Sequence, residues 1–265
     1  MLGRLLKYDF KSINRLGIPM SGIALIAAII GTLALKVVTN APDDASGIPV
    51  VLCILCVVAS AVAVFAYTVV VWILLLYRFY TNMYTDEGYL TFTLPVKPKH
   101  LIISKLITAV VWSLISLIVV LISVIVIVTF GTGNGLVNFE WTNIFSRLSE
   151  VGINTADIIY GIIYLFVSVV FSFLIIYLSI TIAAVLTRKH KILVAIGVYY
   201  GINTVISIFT TIGELIVAAL KSQTGAAVDV FMATGGWVSI VIYVVFSVVA
   251  FVICNELMKR KLNLD

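Results

Sequence analysis

Charged residues are scarce in this chain: Asp, Glu, Lys and Arg together make up 11% of its 265 residues, whereas 62% are hydrophobic. A soluble domain typically carries about twice that share of charge, so the composition excludes an ordinary soluble globular protein. Apolar runs of roughly 20 residues or more fill most of the chain instead, and each is long enough to cross a membrane. The six runs occupy about 17–38, 49–77, 106–130, 158–186, 192–210 and 236–254.

Short alternating segments of the kind that build membrane β-barrels are also missing. Because hydrocarbon offers no hydrogen-bond partner to the backbone, the apolar runs should be α-helices whose amides are satisfied internally. The sequence therefore predicts an all-α integral membrane protein with six transmembrane helices, which form one membrane domain over residues 1–265.

The chain is poor in groups that carry catalysis or bind metals. Its three cysteines, Cys53, Cys56 and Cys254, all fall in apolar runs, and no second cysteine or histidine pair completes a zinc or redox site. The runs contain neither an HExxH motif nor paired carboxylates, which argues against an intramembrane enzyme. We therefore predict no catalytic residue, no metal site and no enzymatic activity in this chain.

Ionisable groups are absent from the middle of every apolar run, which argues against a secondary transporter coupled to ions or protons. Glu214 lies close to the outer end of the fifth run. An acid at such a position suggests a function, although a carboxylate in contact with interfacial water is the simpler interpretation.

The basic residues are distributed unevenly along the chain. Fourteen of the 17 lysines and arginines fall in four segments that would share one side of the membrane: residues 1–16, 78–105, 187–191 and 255–265. Only three remain for the opposite side: Lys36, Arg147 and Lys221. Basic residues favour the cytoplasmic side, so both termini should be cytoplasmic. Their spread over short segments beside the membrane does not form a nucleic-acid-binding surface, and we predict no nucleic-acid partner.

Residues 1–16 combine apolar residues at three- and four-residue spacing with basic residues at the other positions. This pattern predicts an amphipathic helix that lies on the cytoplasmic surface of the lipid bilayer, with its basic face towards anionic headgroups. The alternative is simply a positively charged beginning of the first span.

A polar stretch between the second and third runs contains two adjacent carboxylates, Asp86 and Glu87, followed by Gly88. Acids favour a helix N-terminus, and the residue before Pro95 disfavours helix, so a short helix is expected between these limits. Its apolar side chains are Tyr89, Leu90, Phe92 and Leu94. Exposed aromatic residues beside a charge pair indicate a docking surface for another protein, whereas a loop lying on lipid headgroups is the alternative.

The fifth run contains a GxxxG motif formed by Gly197 and Gly201. Two glycines at this spacing allow two helices to approach closely, so the motif suggests a dimer interface. Ordinary packing is the alternative, because glycine is common in membrane helices.

Residues 78–104 resemble the cytoplasmic coupling loop of the ABC type-2 transporter permease family, whose subunits have six spans. The family pattern is acid-Gly, then Leu-Pro, then Leu, then Gly/Ser-Lys, and it matches Glu87, Gly88, Leu94, Pro95, Leu101, Ser104 and Lys105. Residues 1–11 are also similar to such permeases from Gram-positive bacteria. Two positions depart from the pattern: Ser104, where glycine is usual, and Tyr89, where a small residue is common.

The resemblance implies a permease subunit of an ATP-driven exporter in a bacterial cytoplasmic membrane, paired with a second copy or a homologue. ATP and Mg²⁺ would bind to a separate ABC ATP-binding subunit, because this chain lacks a GxxxxGK(S/T) motif and is expected to bind no cofactor itself. That partner would dock on the coupling helix within 78–104, and residues 1–16 would correspond to the family's connecting helix. A non-transporting sensor or immunity subunit is an alternative, and an ATP-independent secondary transporter is a less favoured one.

The same resemblance implies a transport pathway at the dimer interface, lined by the first, second and fifth spans. Candidate lining residues are Tyr67, Trp72, Tyr199, Tyr200 and Asn203, for which ordinary packing is the alternative.

Overall fold

The computed structural model describes residues 2–40, 47–85, 98–131, 155–187, 190–222 and 236–260, and these residues are almost entirely helical, with no strand among them. Six helices are long and apolar enough to cross a membrane, which confirms the predicted transmembrane class. They are α1 (Leu2–Thr39), α2 (Ile48–Tyr84), α3 (Pro98–Gly131), α4 (Thr155–Leu186), α5 (Lys191–Ser222) and α6 (Gly236–Arg260).

All six helices extend beyond the predicted spans, and α1 and α5 do so furthest. Residues 2–16 are helical, but they continue without a break through Pro19 into the first span, so the described chain has no separate amphipathic helix. The fifth span was expected to end near residue 210, yet α5 continues to Ser222. Apolar residues such as Leu215 and Ile216 carry the helix onward, since nothing between Thr210 and Leu220 breaks it.

Large apolar side chains are exposed on all six helices, as expected for surfaces that meet lipid rather than water. Hydroxyl groups within the helices bond to their own backbone. Ser123 Oγ donates to the carbonyl of Val119 at 2.8 Å, and Ser179 Oγ donates to the carbonyl of Ile175 at 2.8 Å. These bonds satisfy polar groups that hydrocarbon cannot satisfy.

The described residues form two compact units. Unit 1 contains those among residues 78–107 and 153–265, together with Leu2, whereas unit 2 contains those among residues 3–77 and 108–152. Helices α2 and α3 therefore contribute to both units, and of α1 only Leu2 belongs to unit 1.

Small residues on α1 determine the packing of unit 2. A Cβ atom on Gly17 would lie 2.5 Å from the Trp112 ring on α3, and a Cβ atom on Gly31 would overlap the Ser60 side chain on α2. The ends of α1 and α3 are also joined, because Thr39 Oγ1 donates to the carbonyl of Gly131 at 3.0 Å. Glycine is thus required at both α1 positions for this close packing.

Unit 1 is built around α4, which contacts both α5 and α6. Its buried positions carry a mixture of apolar and hydroxyl side chains, including Phe173, Tyr177 and Thr181. The end of α2 and the beginning of α3 belong to the same unit, and they carry the candidate site.

Candidate coupling site

The predicted docking residues lie outside the described residues. They are Asp86, Glu87, Gly88, Tyr89, Leu90, Phe92, Leu94 and Pro95, all within the segment 86–97. What the structure describes is how the two ends of this segment are held, at the end of α2 on one side and the beginning of α3 on the other.

A buried group of side chains, here called the anchor cluster, holds these ends in unit 1. Its members are Phe79, Tyr84, Tyr177, Thr181 and Cys254, all at most 4% exposed. They come from three helices, because α2 supplies the first two, α4 the next two and α6 the last. The cluster therefore connects Tyr84, the last residue of α2, to helices far away in sequence.

Thr181 is the centre of the cluster because its hydroxyl uses all of its hydrogen-bonding capacity. The hydroxyl donates to the backbone carbonyl of Tyr177 at 2.7 Å. It has only one hydrogen, so the Tyr84 hydroxyl at 2.6 Å and the Cys254 thiol at 3.2 Å must both donate to its oxygen. One buried oxygen thus joins α2, α4 and α6.

Aromatic stacking provides a second connection between α2 and α4. The rings of Phe79 and Tyr177 are stacked, with centroids 3.7 Å apart and planes inclined by 11°. The hydroxyl of Tyr177 also donates to the backbone carbonyl of Lys105 on α3, in a long bond of 3.4 Å. Tyr177 therefore contacts the helices on both sides of the coupling segment.

A lysine from α5 binds the last carbonyl of α2. Tyr84 is the last residue of α2, and its carbonyl has no partner within the helix. Lys191 Nζ donates to this carbonyl at 3.4 Å. A cation at a helix C-terminus also interacts favourably with the helix dipole. The end of α2 is therefore held directly by α4 and α5, and it is linked to α6 through Thr181.

The chemistry of the anchor cluster is that of positioning rather than catalysis. Its polar groups are neutral hydroxyls and one thiol, and each is occupied by a neighbour. Among the described residues, no group of three or more His, Cys, Asp or Glu side chains could hold a metal ion. The cluster can therefore hold the end of α2 in position against α4 and α6.

We expect the Tyr84–Thr181 bond to be measurable in a double-mutant cycle. Thr181→Val leaves the Tyr84 hydroxyl buried without an acceptor, which should lower the free energy of unfolding by about 1–3 kcal/mol. Adding Tyr84→Phe removes that stranded hydroxyl, so the double variant should lose less than the sum of the single losses. Unfolding in mixed micelles gives the free energy of unfolding of the wild type, the two single variants and the double variant. Thr204→Val is the control, because that hydroxyl makes the same kind of backbone bond at an exposed position. If the loss in the double variant equals the sum of the two single losses, the predicted Tyr84–Thr181 hydrogen bond is wrong.

Gly197 and Gly201, the candidate dimer residues, lie on α5 with open space around them. A Cβ atom added to either would meet nothing within 4 Å. The motif therefore has no packing role among the described residues of a single chain. This leaves its face free for a second chain, and the interface itself remains a prediction.

The candidate lining residues divide between the two units. In unit 2, Tyr67 is buried and its hydroxyl has no hydrogen-bond partner among the described residues, whereas Trp72 is half-buried. In unit 1, Tyr199 is half-buried and Tyr200 is exposed, and Asn203 donates to the carbonyl of Tyr199 at 2.9 Å. Their role in a pathway remains a prediction.

Sequence reasoning missed the anchor cluster. Thr181 is one of many hydroxyl residues in apolar runs, and Cys254 lies in an apolar run with no second cysteine or histidine pair to mark it. Cys254 is indeed buried, but its thiol also contacts Thr181. Because Tyr84 and Thr181 are 97 positions apart, no local pattern in one sequence could have paired them. The residue type gave one signal, since a tyrosine at the end of a membrane helix often needs a partner for its hydroxyl.

Comparisons with known proteins do not add an identification: no family model, curated protein or solved structure matches this chain.

Proposed function

We propose that this chain is the membrane permease subunit of an ATP-driven ABC exporter in a bacterial cytoplasmic membrane. A separate ATP-binding subunit would carry ATP and Mg²⁺, and a second permease copy or homologue would complete the pathway. The observation that carries the proposal is the anchor cluster, which holds the end of α2 immediately before the segment with the family pattern. Six apolar helices and the uneven distribution of basic residues support the same assignment.

The proposed mechanism is transmission of movement through the anchored helix ends. The partner would dock on a coupling helix in 86–97, and ATP binding would draw two such partners together. Because Tyr84 and Thr181 connect the end of α2 to α4 and α6, the partner's displacement would move several spans together. In the same scheme, the first turns of α1 act as the connecting helix although they are continuous with the first span.

The proposed orientation places both termini and residues 78–104 in the cytoplasm. A cysteine introduced by Thr85→Cys should therefore react with a membrane-impermeant maleimide only after the cells are opened. The native cysteines lie within membrane-spanning helices, and wild-type protein gives their background. Efficient labelling of Thr85→Cys in intact cells would overturn the orientation.

The proposed dimer predicts that replacing Gly197 and Gly201 with leucine weakens permease pairing by about 1–3 kcal/mol, because two leucines would overfill a close helix contact. The single chain has room at both positions, so its own fold should be unaffected. Crosslinking between protomers in membranes measures the effect. Gly161→Leu is the control, since this glycine on α4 also has open space around it. Unchanged crosslinking of the double variant would remove α5 from the interface.

The function itself is tested by purification followed by reconstitution. A P-loop ATPase should co-purify with the chain from its native membrane, and the complex should carry out ATP-dependent transport in vesicles. Co-purification without transport of any tested amphiphile would favour the sensor or immunity alternative. Transport by the chain alone, without ATP, would contradict the proposal.

A further inference from the structure

The end of unit 1 away from the anchor cluster contains a carboxylate that the proposed transport cycle does not use. Glu214 on α5 accepts a hydrogen bond from Ser239 Oγ on α6, with an O–O distance of 2.7 Å. The neighbouring Gly213 allows this contact, because a Cβ atom there would lie 2.8 Å from Val238 Cγ1. Close packing of α5 and α6 thus places the Glu214 carboxylate against the beginning of α6.

Aromatic rings lie at the same end of unit 1 as this carboxylate. Trp237, two residues before Ser239, makes an edge contact with Tyr160 on α4, with ring centroids 5.3 Å apart. Tyr160 also contacts the Tyr164 ring at a centroid distance of 5.9 Å, and it lies within electrostatic range of Glu214. These rings are only partly covered, and Trp237 is 46% exposed. An acid and several partly exposed aromatic rings therefore lie at one end of unit 1, where the Glu214 carboxylate accepts from Ser239 on α6 and the Tyr160 ring contacts Trp237 on the same helix.

The position of this surface is the membrane–water interface. Trp237 is the second residue of α6, and Tyr160 lies in the second turn of α4, so both are close to helix ends. Tryptophan and tyrosine favour this depth because they have both an apolar ring and a polar atom. Under the proposed orientation, this interface faces the outside of the cell.

The charge of Glu214 has no counterion among the described residues, where the ion pair recorded joins Lys259 to Glu256 instead. The described residues also offer no cluster of ligands that would hold a metal ion there. A weakly hydrated organic cation fits better, because its charge is attracted both to the carboxylate and to the faces of tryptophan and tyrosine rings.

We propose that Glu214, Tyr160 and Trp237 bind the ammonium group of an amphiphilic organic cation at this interface. The apolar tail would lie along the exposed apolar side chains of α4 and α6, which face lipid. The ammonium group has two sources, the headgroup of a membrane lipid or a free amphiphile, and the chemistry of recognition is the same for both. The site does not depend on the proposed export function.

The test is a binding titration of the full chain in nanodiscs of digalactosyldiacylglycerol, a lipid with neither net charge nor an ammonium group. The probe is dodecyltrimethylammonium, and its matched analogue is dodecyldimethylamine N-oxide, which has the same tail but no net charge. Equilibrium dialysis, with empty nanodiscs subtracted, gives the affinity for each. Wild-type protein should bind the cation saturably and on the order of tenfold more tightly than the N-oxide.

Substitutions at the site separate its two contributions. Glu214→Gln keeps an oxygen that accepts from Ser239, so the fold should persist while cation affinity falls on the order of tenfold. Tyr160→Leu does not change the charge of the site, and it should lower the affinity for the cation more than the affinity for the N-oxide. Glu256→Gln is the control, because this exposed acid on α6 already has a lysine partner 3.0 Å away.

Two results would each overturn the proposed site. Equal affinity for the cation and the N-oxide, or unchanged cation affinity in both Glu214→Gln and Tyr160→Leu, would overturn the site. If the site is confirmed, adding phosphatidylethanolamine to the nanodiscs identifies the source. Displacement of the probe indicates a lipid headgroup, and retention of the probe indicates a free amphiphile. Failure of this site would leave the proposed export function untouched, since neither ATPase recruitment nor transport enters the measurement.

Discussion

Replacing Glu87 and Phe92 together with alanine should leave the chain inserted in the membrane while recruitment of the ATP-binding subunit and transport are lost together. Removing an anchoring side chain from a protein interface costs at least about 2 kcal/mol, so the affinity for the partner should fall roughly 30-fold or more. Both residues belong to the segment 86–97, where the sequence pattern of aromatic residues beside an acid predicts docking. Titrated co-purification measures recruitment, and vesicle uptake measures transport.

The matched control for this double variant removes the same kinds of side chain elsewhere. Phe65→Ala deletes a phenylalanine that is 70% exposed on α2, and Glu256→Ala deletes an acid in an exposed ion pair on α6. Neither change should alter recruitment, because both side chains lie outside the segment 86–97. An isolated exposed ion pair such as that of Glu256 also contributes little to stability. If the Glu87 and Phe92 double variant recruits its ATPase as well as this control does, residues 78–104 are not the coupling element.

The second large effect is expected at Phe79 in the anchor cluster. Phe79→Ala deletes a fully buried ring that stacks on Tyr177, so the free energy of unfolding should fall by about 3–5 kcal/mol. The end of α2 would also lose its aromatic contact with α4 and would keep only the Tyr84–Thr181 bond there. We therefore expect ATP hydrolysis to continue in the assembled complex while less substrate is transported for each ATP.

Phe65→Ala is again the appropriate comparison, because it makes the same chemical change on the same helix at an exposed position. Its free energy of unfolding in mixed micelles should change by less than about 0.5 kcal/mol, as is usual for surface substitutions. If Phe79→Ala leaves the amount of substrate transported per ATP unchanged, the anchor cluster stabilises the fold without coupling it to the partner.

The six spans could be predicted because each depends on a local property. A helix in hydrocarbon needs about 20 apolar residues in succession, and the sequence displays that directly. The helix ends were harder to predict. Nothing in residues 2–16 marks where a surface helix would stop and a span begin, and the structure gives one continuous helix through Pro19. The end of α5 was missed for a similar reason, since residues 211–222 favour helix although they are less uniformly apolar.

The site was only partly predictable because its contacts are long-range. The acid-Gly and Leu-Pro pattern drew attention to residues 86–95, but it contains no information on what holds them. That depends on Thr181 accepting from Tyr84 and Cys254, which requires the helices to pack first. The Glu214–Ser239 pair was equally invisible, because 25 residues separate its members and serine is frequent in this chain. Glu214 itself could be singled out from sequence, since acids beside apolar runs are few.

The shared oxygen of Thr181 also has a consequence for the order in which the protein is made. A ribosome synthesises Tyr84 first, Thr181 much later, and Cys254 another 73 residues after that. The oxygen can therefore accept from Tyr84 while α6 is still unsynthesised, but its second donor arrives only with that helix. The helix end before the coupling segment thus acquires its last support late in biogenesis, so a nascent chain presents a less firmly held segment than a finished one.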